Sequence, residues 1–523
     1  MYLFGKLIKR NKATDSKRSS CLKYEFVISL GGGTMTLDGA ANPIPDTADE
    51  PLTRFMMPFL PAKGDATADA VADAFLTQMS DDLDHPEVWD EISKCLELGV
   101  DLGEVIEQRL TSEQPRDNRL HLEVLAALVR GAQGDAANGL QRLEHFVASA
   151  GRSVLFQGAL FYLNRLLDPH NPKYILEGKV CPTPFQQIDV SSSECHLCCS
   201  GWLDTSVGDP RQLSWQELWN GEPAKAIRDS ILDGSYRYCN KGICPVIQGN
   251  LIPLKDTLRS SSDFWRAVLD DNASSVVRGP ELVNLAYDRT CNLSCPSCRT
   301  EAFAATQSER REYERMQETT ILPMLKTAKM VYVTGSGDPF ASKTFRHLMK
   351  QLTRVSYPKL SFYIMTNGML LTPRQWSEFP TLHGRVETLR ISIDAASALT
   401  HETLRRGASW STMIDNMKFA GELRSTAQVK KFELAFTVQV ENYTEMGDAV
   451  DLAEMVGADL VTFSKLINWG TFSEDEYKSR AVFLSCHPLY ADFALKMQDE
   501  RLKQSIVDLG NLEITPSLLD AAR

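Results

Sequence analysis

The sequence predicts an α/β protein, and three observations carry that reading. Residues 282–465 alternate short apolar runs with helical stretches, the pattern of parallel βαβ units. Residues 68–167 place apolar side chains at helical spacing. Between these two regions, cysteines crowd into 181–244. A chain of 523 residues has room for about three domains. The expected order is a basic N-terminus and linker over 1–67, an α-helical domain over 68–170, a small cysteine-rich domain over 171–255, an α/β core over 278–480 and a tail over 481–523.

The first ten residues, Met1 to Arg10, are basic, but their apolar run is too short for a signal peptide. Residues 36–66 are rich in Pro, Asp and Ala and read as a loose linker. In the helical region Leu125, Leu128 and Val129, then Leu140, Leu143, Phe146 and Val147, mark apolar faces. Such helices form either a cap on the cysteine-rich segment or a short repeat array that binds a partner. No stretch approaches the roughly 20 apolar residues of a membrane span.

The cysteine-rich segment opens with Cys181-Pro182. It continues through Cys195-His-Leu-Cys-Cys199 and closes with Cys239-Asn-Lys-Gly-Ile-Cys244. Four thiolates can hold either zinc or an iron–sulfur cluster, and spacing does not separate the two. Further on, strands are expected over 282–287, 330–334, 360–366, 387–393, 432–440 and 459–464. Between the last ones, Met413, Met417 and Ala420 sit near helical spacing.

The first of those strands runs straight into Cys291-Asn-Leu-Ser-Cys-Pro-Ser-Cys298, a C-x3-C-x2-C loop. Three thiolates can hold one [4Fe–4S] cluster and leave one iron open, whereas structural zinc wants four ligands in paired spacings. The loop resembles the signature of the radical S-adenosylmethionine (SAM) enzymes. The resemblance implies a partial (β/α)6 TIM-like barrel. It also implies a catalytic [4Fe–4S] cluster on Cys291, Cys295 and Cys298 whose open iron chelates SAM. Reductive cleavage of SAM to a 5′-deoxyadenosyl radical would follow, making the chain an oxidoreductase-type iron–sulfur enzyme. Ser297 stands where the family often has an aromatic residue, which weakens a packing contact near the adenine but not cluster ligation.

Later strand ends extend the likeness. Gly335-Ser-Gly-Asp338 is similar to the family's Gly-Gly-Glu-Pro motif, with Gly335, Ser336, Gly337 and Asp338 at the SAM ammonium and Asp in place of Glu. Thr366-Asn-Gly368 is a family-like ending as well, though any ordinary turn would suit it. Ser392 and Asp394 resemble the S-x-D edge that contacts SAM. Arg405 sits where many relatives place a SAM-carboxylate arginine, with Arg406 equally placed on spacing. Gln439 and Asn442 would face the ribose.

The cysteine-rich segment is similar to the SPASM or twitch domains of the same superfamily, which hold auxiliary clusters. Carried over, Cys181, Cys198, Cys239 and Cys244 would bind a second, auxiliary [4Fe–4S] cluster; Cys199 could replace Cys198, and Cys195 is the weaker candidate. SPASM domains commonly follow the barrel, whereas this segment precedes it. Lone Cys21, Cys95 and Cys486 read as ordinary small residues.

A net charge of −12, with no basic aromatic stripe, disfavours nucleic acid. Thiolate clusters need a reducing compartment, so a cytoplasmic location is expected. The reading is a radical SAM enzyme that modifies a peptide or protein, served by a reducing partner such as flavodoxin or ferredoxin. A carbohydrate or other small-molecule substrate is the alternative. The rival outside enzymes is a zinc-binding helical interaction protein, and metal content separates the two.

Overall fold

The computed structural model describes residues 24–30, 33–39, parts of 106–146, and 154–512 apart from 334 and 335. Tyr24–Leu30 (β1) and Gly33–Gly39 (β2) pair as an antiparallel hairpin. This corrects the linker expected from residue 36, because Thr36 to Gly39 belong to β2. Two glycines, Gly31 and Gly32, separate the strands in sequence. The rest of the linker lies outside the described residues. Where it is described, the helical region is helical, over Arg116–Ala132, Ala136–Leu143 and Val154–Leu167. Leu128 and Leu143 are buried there, as the spacing predicts.

A nine-stranded sheet organises the remainder. Its strands are Gln187–Val190 (β3), Cys195–His196 (β4), Leu282–Leu285 (β5), Met330–Val333 (β6), Ser361–Thr366 (β7), Val386–Ser392 (β8), Phe432–Val438 (β9), Leu460–Lys465 (β10) and Val507–Asp508 (β11). The spatial order is β11-β10-β9-β8-β7-β6-β5-β3-β4. Every neighbouring pair from β3 to β11 is parallel, and β4 alone is antiparallel, on β3. The six strands expected from sequence are present with ends shifted by one or two residues. The cysteine-rich segment also contributes: its β3 pairs with β5 and extends the same sheet.

Alternation along the strands sorts the two faces. Val283, Leu285, Val331, Val333, Ile364, Leu389, Ile391, Leu434, Phe436, Val461 and Phe463 are fully buried in one apolar cluster. Helix Lys343–Gln351 adds Phe345, Leu348 and Met349, and helix Trp410–Ser425 adds Met413, Met417 and Ala420. Each fully buried aliphatic side chain contributes about 1.5–3 kcal/mol, so this face sets the strand register. The intervening residues are polar: Asn284, Tyr332, Tyr363, Arg390, Glu433 and Thr462. Parallel strands all point one way, so the C-terminal ends of β5 to β9 gather at one edge, where loops carry chemistry in such sheets.

Candidate functional site

The C-x3-C-x2-C loop leaves β5 at that C-terminal edge. Its entry is pinned by Asp288, which is fully buried. Asp288 Oδ2 accepts from the Ser342 and Thr344 hydroxyls at 2.5 and 2.6 Å, and Oδ1 accepts from Thr290 N at 2.9 Å. Tyr287, just before it, is held by the Gln317 amide at 2.7 Å, and Gln317 also donates to Thr344 O at 2.9 Å. On the far side Arg406 clamps the loop, donating to Ser294 O at 2.8 Å and Thr300 O at 3.3 Å.

Cys291 is half-buried, Cys295 buried and Cys298 exposed. Each sulfur meets an N–H donor. Asn367 Nδ2 approaches Cys291 Sγ at 3.5 Å, and Leu293 N does so at the same distance. Arg299 Nη2 lies 3.5 Å from Cys298 Sγ, and the Arg405 guanidinium bonds Cys295. Burial pushes the Cys291 and Cys295 thiols up, and the nearby Arg299 and Arg405 charges partly offset this. N–H donors and cations around sulfur are what an anionic iron–sulfur cluster needs. The donor set therefore fits a cluster held by three thiolates.

The neighbouring strand ends close around this loop. Asp338 N donates to Thr290 O at 2.9 Å. A Cβ on Gly337 would stand 2.5 Å from Asp288 O and 2.6 Å from Thr290 O, so the close approach requires glycine. Gly368, at the end of β7, has φ +79. Gly335 lies outside the described residues. Ser336 donates its hydroxyl to Ala286 O at 3.0 Å, and its carbonyl accepts from Arg299.

Three expected SAM contacts turn out to be committed internally. Asp338 has no exposed surface. Its Oδ1 accepts from Phe340 N and Ala341 N at 3.0 and 3.2 Å, and its Oδ2 from the Thr366 hydroxyl and Asn367 N at 2.6 and 2.9 Å. Four donors saturate the carboxylate, so it ties β6 to β7 instead of facing a ligand. Asn442 is equally enclosed. Its amide donates to Asp394 O and Thr437 O at 2.8 Å, and its oxygen accepts from Gln439 N at 2.8 Å. Asp394 holds φ +53, accepts from Thr437 N at 2.8 Å and pairs with Arg405 at 2.8 Å.

Other expected residues keep free atoms. Arg405 Nε and Gln439 Oε1 are buried without a partner. Ser392 is half-buried at the end of β8 on the same face as Arg390. Of the two candidate arginines, Arg405 reaches Cys295 while Arg406 serves the loop backbone. Asp288, Arg299 and Asn367 carry no assigned role in the sequence reading, although all three sit in or beside the quoted motifs.

The second cysteine group surrounds one cavity. Cys181, Cys198, Cys239 and Cys244 line it together with Trp202 and Tyr236. Trp202 Nε1 donates to Cys198 Sγ at 3.2 Å. Tyr236 accepts from Cys181 N at 3.1 Å and donates to Lys179 O at 3.0 Å, which fixes the first cysteine. Cys199 does not line the cavity; its sulfur faces Gly201 N at 3.5 Å. Cys195 is fully buried in β4. Burial raises the thiols of Cys181, Cys198 and Cys239, and pushes Cys244 up to about 12. Metal binding there would release protons. Among the described residues no three His, Cys, Asp or Glu side chains close on a single-ion site. Four thiols line this cavity, a donor set that zinc and an iron–sulfur cluster both accept.

No family model and no curated protein matches the chain. It is similar over part of its length to several solved structures. Streptococcus suis SuiB bound to S-adenosylmethionine is 16% identical, with a TM-score of 0.33 over 49% of this chain and 56% of its own. TYW1 with a lysine-pyruvate adduct bound is 15% identical, with a TM-score of 0.28 over 44% of this chain and 72% of its own. Native anSMEcpe with bound AdoMet and Kp18Cys peptide is 17% identical, with a TM-score of 0.27 over 36% of this chain and 51% of its own. The chain spans about half the length of the SuiB structures it matches. Overlaps this partial carry no argument about chemistry, which rests on the chain's own residues. No helix of the described residues is long and apolar enough to cross a membrane.

Proposed function

We propose that this chain is a radical SAM enzyme with a catalytic and an auxiliary [4Fe–4S] cluster, acting on a peptide or protein. The observation that carries the reading is the cysteine loop at the C-terminal end of β5, its sulfurs met by N–H donors from Asn367, Arg299 and Arg405. Cys291, Cys295 and Cys298 would hold the catalytic cluster. With SAM bound, that cluster would supply the one-electron chemistry of SAM cleavage. The protein's part is positioning. Arg405 Nε and Gln439 Oε1 offer a buried donor and a buried acceptor to SAM. Asp338, Asp394 and Asn442 fix the strand ends that present them.

Cys181, Cys198, Cys239 and Cys244 would hold the auxiliary cluster, making the segment a SPASM-like unit ahead of a partial barrel. Its four thiolates leave no iron open, which suits electron transfer or substrate docking. A carbohydrate or other small molecule is the alternative substrate. A flavodoxin- or ferredoxin-like reductant and a cytoplasmic setting complete the reading. Anaerobic reconstitution tests it: the chain should take up about eight irons, and Cys291→Ala/Cys295→Ala/Cys298→Ala about half as many. A chain that binds only zinc would support the interaction-protein rival and overturn the proposal.

A further inference from the structure

The polar face of the sheet is unevenly neutralised. At the β8 end, Arg390 Nε donates to Glu433 Oε2 at 2.9 Å and Nη2 to Thr462 Oγ1 at 3.0 Å, and Lys431 pairs with the other Glu433 oxygen. At the β3 end stands Asp189. Its Oδ1 accepts from Gln187 Nε2 at 2.7 Å and its Oδ2 from Asn284 Nδ2 at 2.9 Å. Both donors are neutral amides. Asn284 is only 6% exposed, yet its Oδ1 has no hydrogen-bond partner. A buried acceptor left unpaired is rare in a folded protein and costly unless a donor arrives.

The neighbours in the row say what kind of donor fits. Asn284 pairs in register with Tyr332 and Tyr332 with Tyr363, and the two rings lie 4.4 Å apart between centroids. A carboxylate, a free amide oxygen and the Tyr332 ring together suit an organic cation, through charge-assisted hydrogen bonds and cation–π attraction, while the Tyr363 ring already faces Arg390 at 6.0 Å. Burial raises the Asp189 carboxyl to about 6, a cost that an arriving cation would offset.

We infer that Asp189 and Asn284 receive the ammonium or guanidinium end of the substrate, so the substrate is an amine: a basic side chain of a peptide or a free diamine. This names the substrate class of the enzyme proposed above and rests on that reading. The stripe lies on the same sheet face as Ser392, which is two residues beyond Arg390 toward the cysteine-loop edge. A substrate held by its cationic end at β3 and β5 could therefore extend along this face toward that edge.

The test is calorimetric titration of the anaerobically reconstituted full chain with Nα-acetyl-lysine amide, uncharged Nα-acetyl-norleucine amide and cadaverine. The lysine amide should bind about tenfold or more tighter than the norleucine amide, the value of one hydrogen bond to a charged group. Asp189→Asn should erase that preference and Asn284→Ala should reduce it. Should Asp189→Asn unfold, Asn284→Ala still reads the preference. Cadaverine binding as tightly as the lysine amide assigns a free amine, and weaker cadaverine binding assigns a peptide-borne one. Equal binding of charged and uncharged amides, or a preference that survives in a folded Asp189→Asn, overturns the inference. SAM cleavage by the same samples is scored separately: its absence sinks the radical SAM reading while leaving the binding comparison legible.

Discussion

Replacing Asp338 with alanine separates a structural carboxylate from a ligand-binding one. The change strands four donors: Phe340 N, Ala341 N, the Thr366 hydroxyl and Asn367 N. Each buried donor left unpaired costs about 1–3 kcal/mol, and water or a neighbour can recover about half of them. The expected loss is therefore about 4 kcal/mol, a large share of a typical stability of 5–15 kcal/mol. Asp338→Asn keeps an acceptor on one side but turns an NH2 toward two donors, so about 2 kcal/mol is expected. Urea unfolding followed by circular dichroism reads the shift. Iron content should fall together with stability, because Asn367 N bonds Asp338 while its side chain meets Cys291. An Asp338→Ala protein with an unshifted midpoint and full iron, but SAM affinity down tenfold, would refute this reasoning and restore Asp338 as a SAM ligand.

Three further outcomes follow from the geometry. Gly337→Ala drives a Cβ onto two backbone carbonyls and should destabilise by about 1–3 kcal/mol, read as a lowered melting temperature with less bound iron. His401 is fully buried, its Nδ1 bonded to Ile393 O at 2.8 Å, and burial holds its pKa below the ordinary 6.5. A depressed folded pKa means its contribution is full above 6.5 and is lost as pH falls through the folded value; acid unfolding of His401→Gln should therefore be less steep below that pH. Cys239→Ala/Cys244→Ala should retain SAM cleavage and lose product formation, with melting curves to show that the variant is folded. Loss of SAM cleavage in a folded variant would contradict the assigned division between the two cysteine groups.

The six strands from β5 to β10 were legible because an apolar residue at every second position demands burial on one face. β4 and β11 were not, since runs of two residues carry too little periodicity; β3 matches β5 and β6 in length but falls in the cysteine-rich segment, outside the βαβ alternation, and forms on the edge that β5 offers. The cysteine loop could be read from spacing alone. Its supporting cast could not. Arg299, Asn367 and Asp288 are ordinary residues until the parallel sheet brings β5, β6 and β7 ends together. Asp338 shows the limit from the other side. Its position matched a ligand motif, but only coordinates reveal four internal donors already filling the carboxylate. The choice between Cys198 and Cys199 is similar: adjacent cysteines have nearly the same spacing, and the turn after β4 decides that Cys198 faces the cavity.

The most direct test of the central claim is SAM cleavage by the reconstituted, chemically reduced chain without added substrate. Formation of 5′-deoxyadenosine that disappears in Cys291→Ala/Cys295→Ala/Cys298→Ala is the expected result. A chain that carries its full complement of iron, binds SAM and never forms 5′-deoxyadenosine under reducing conditions would contradict it.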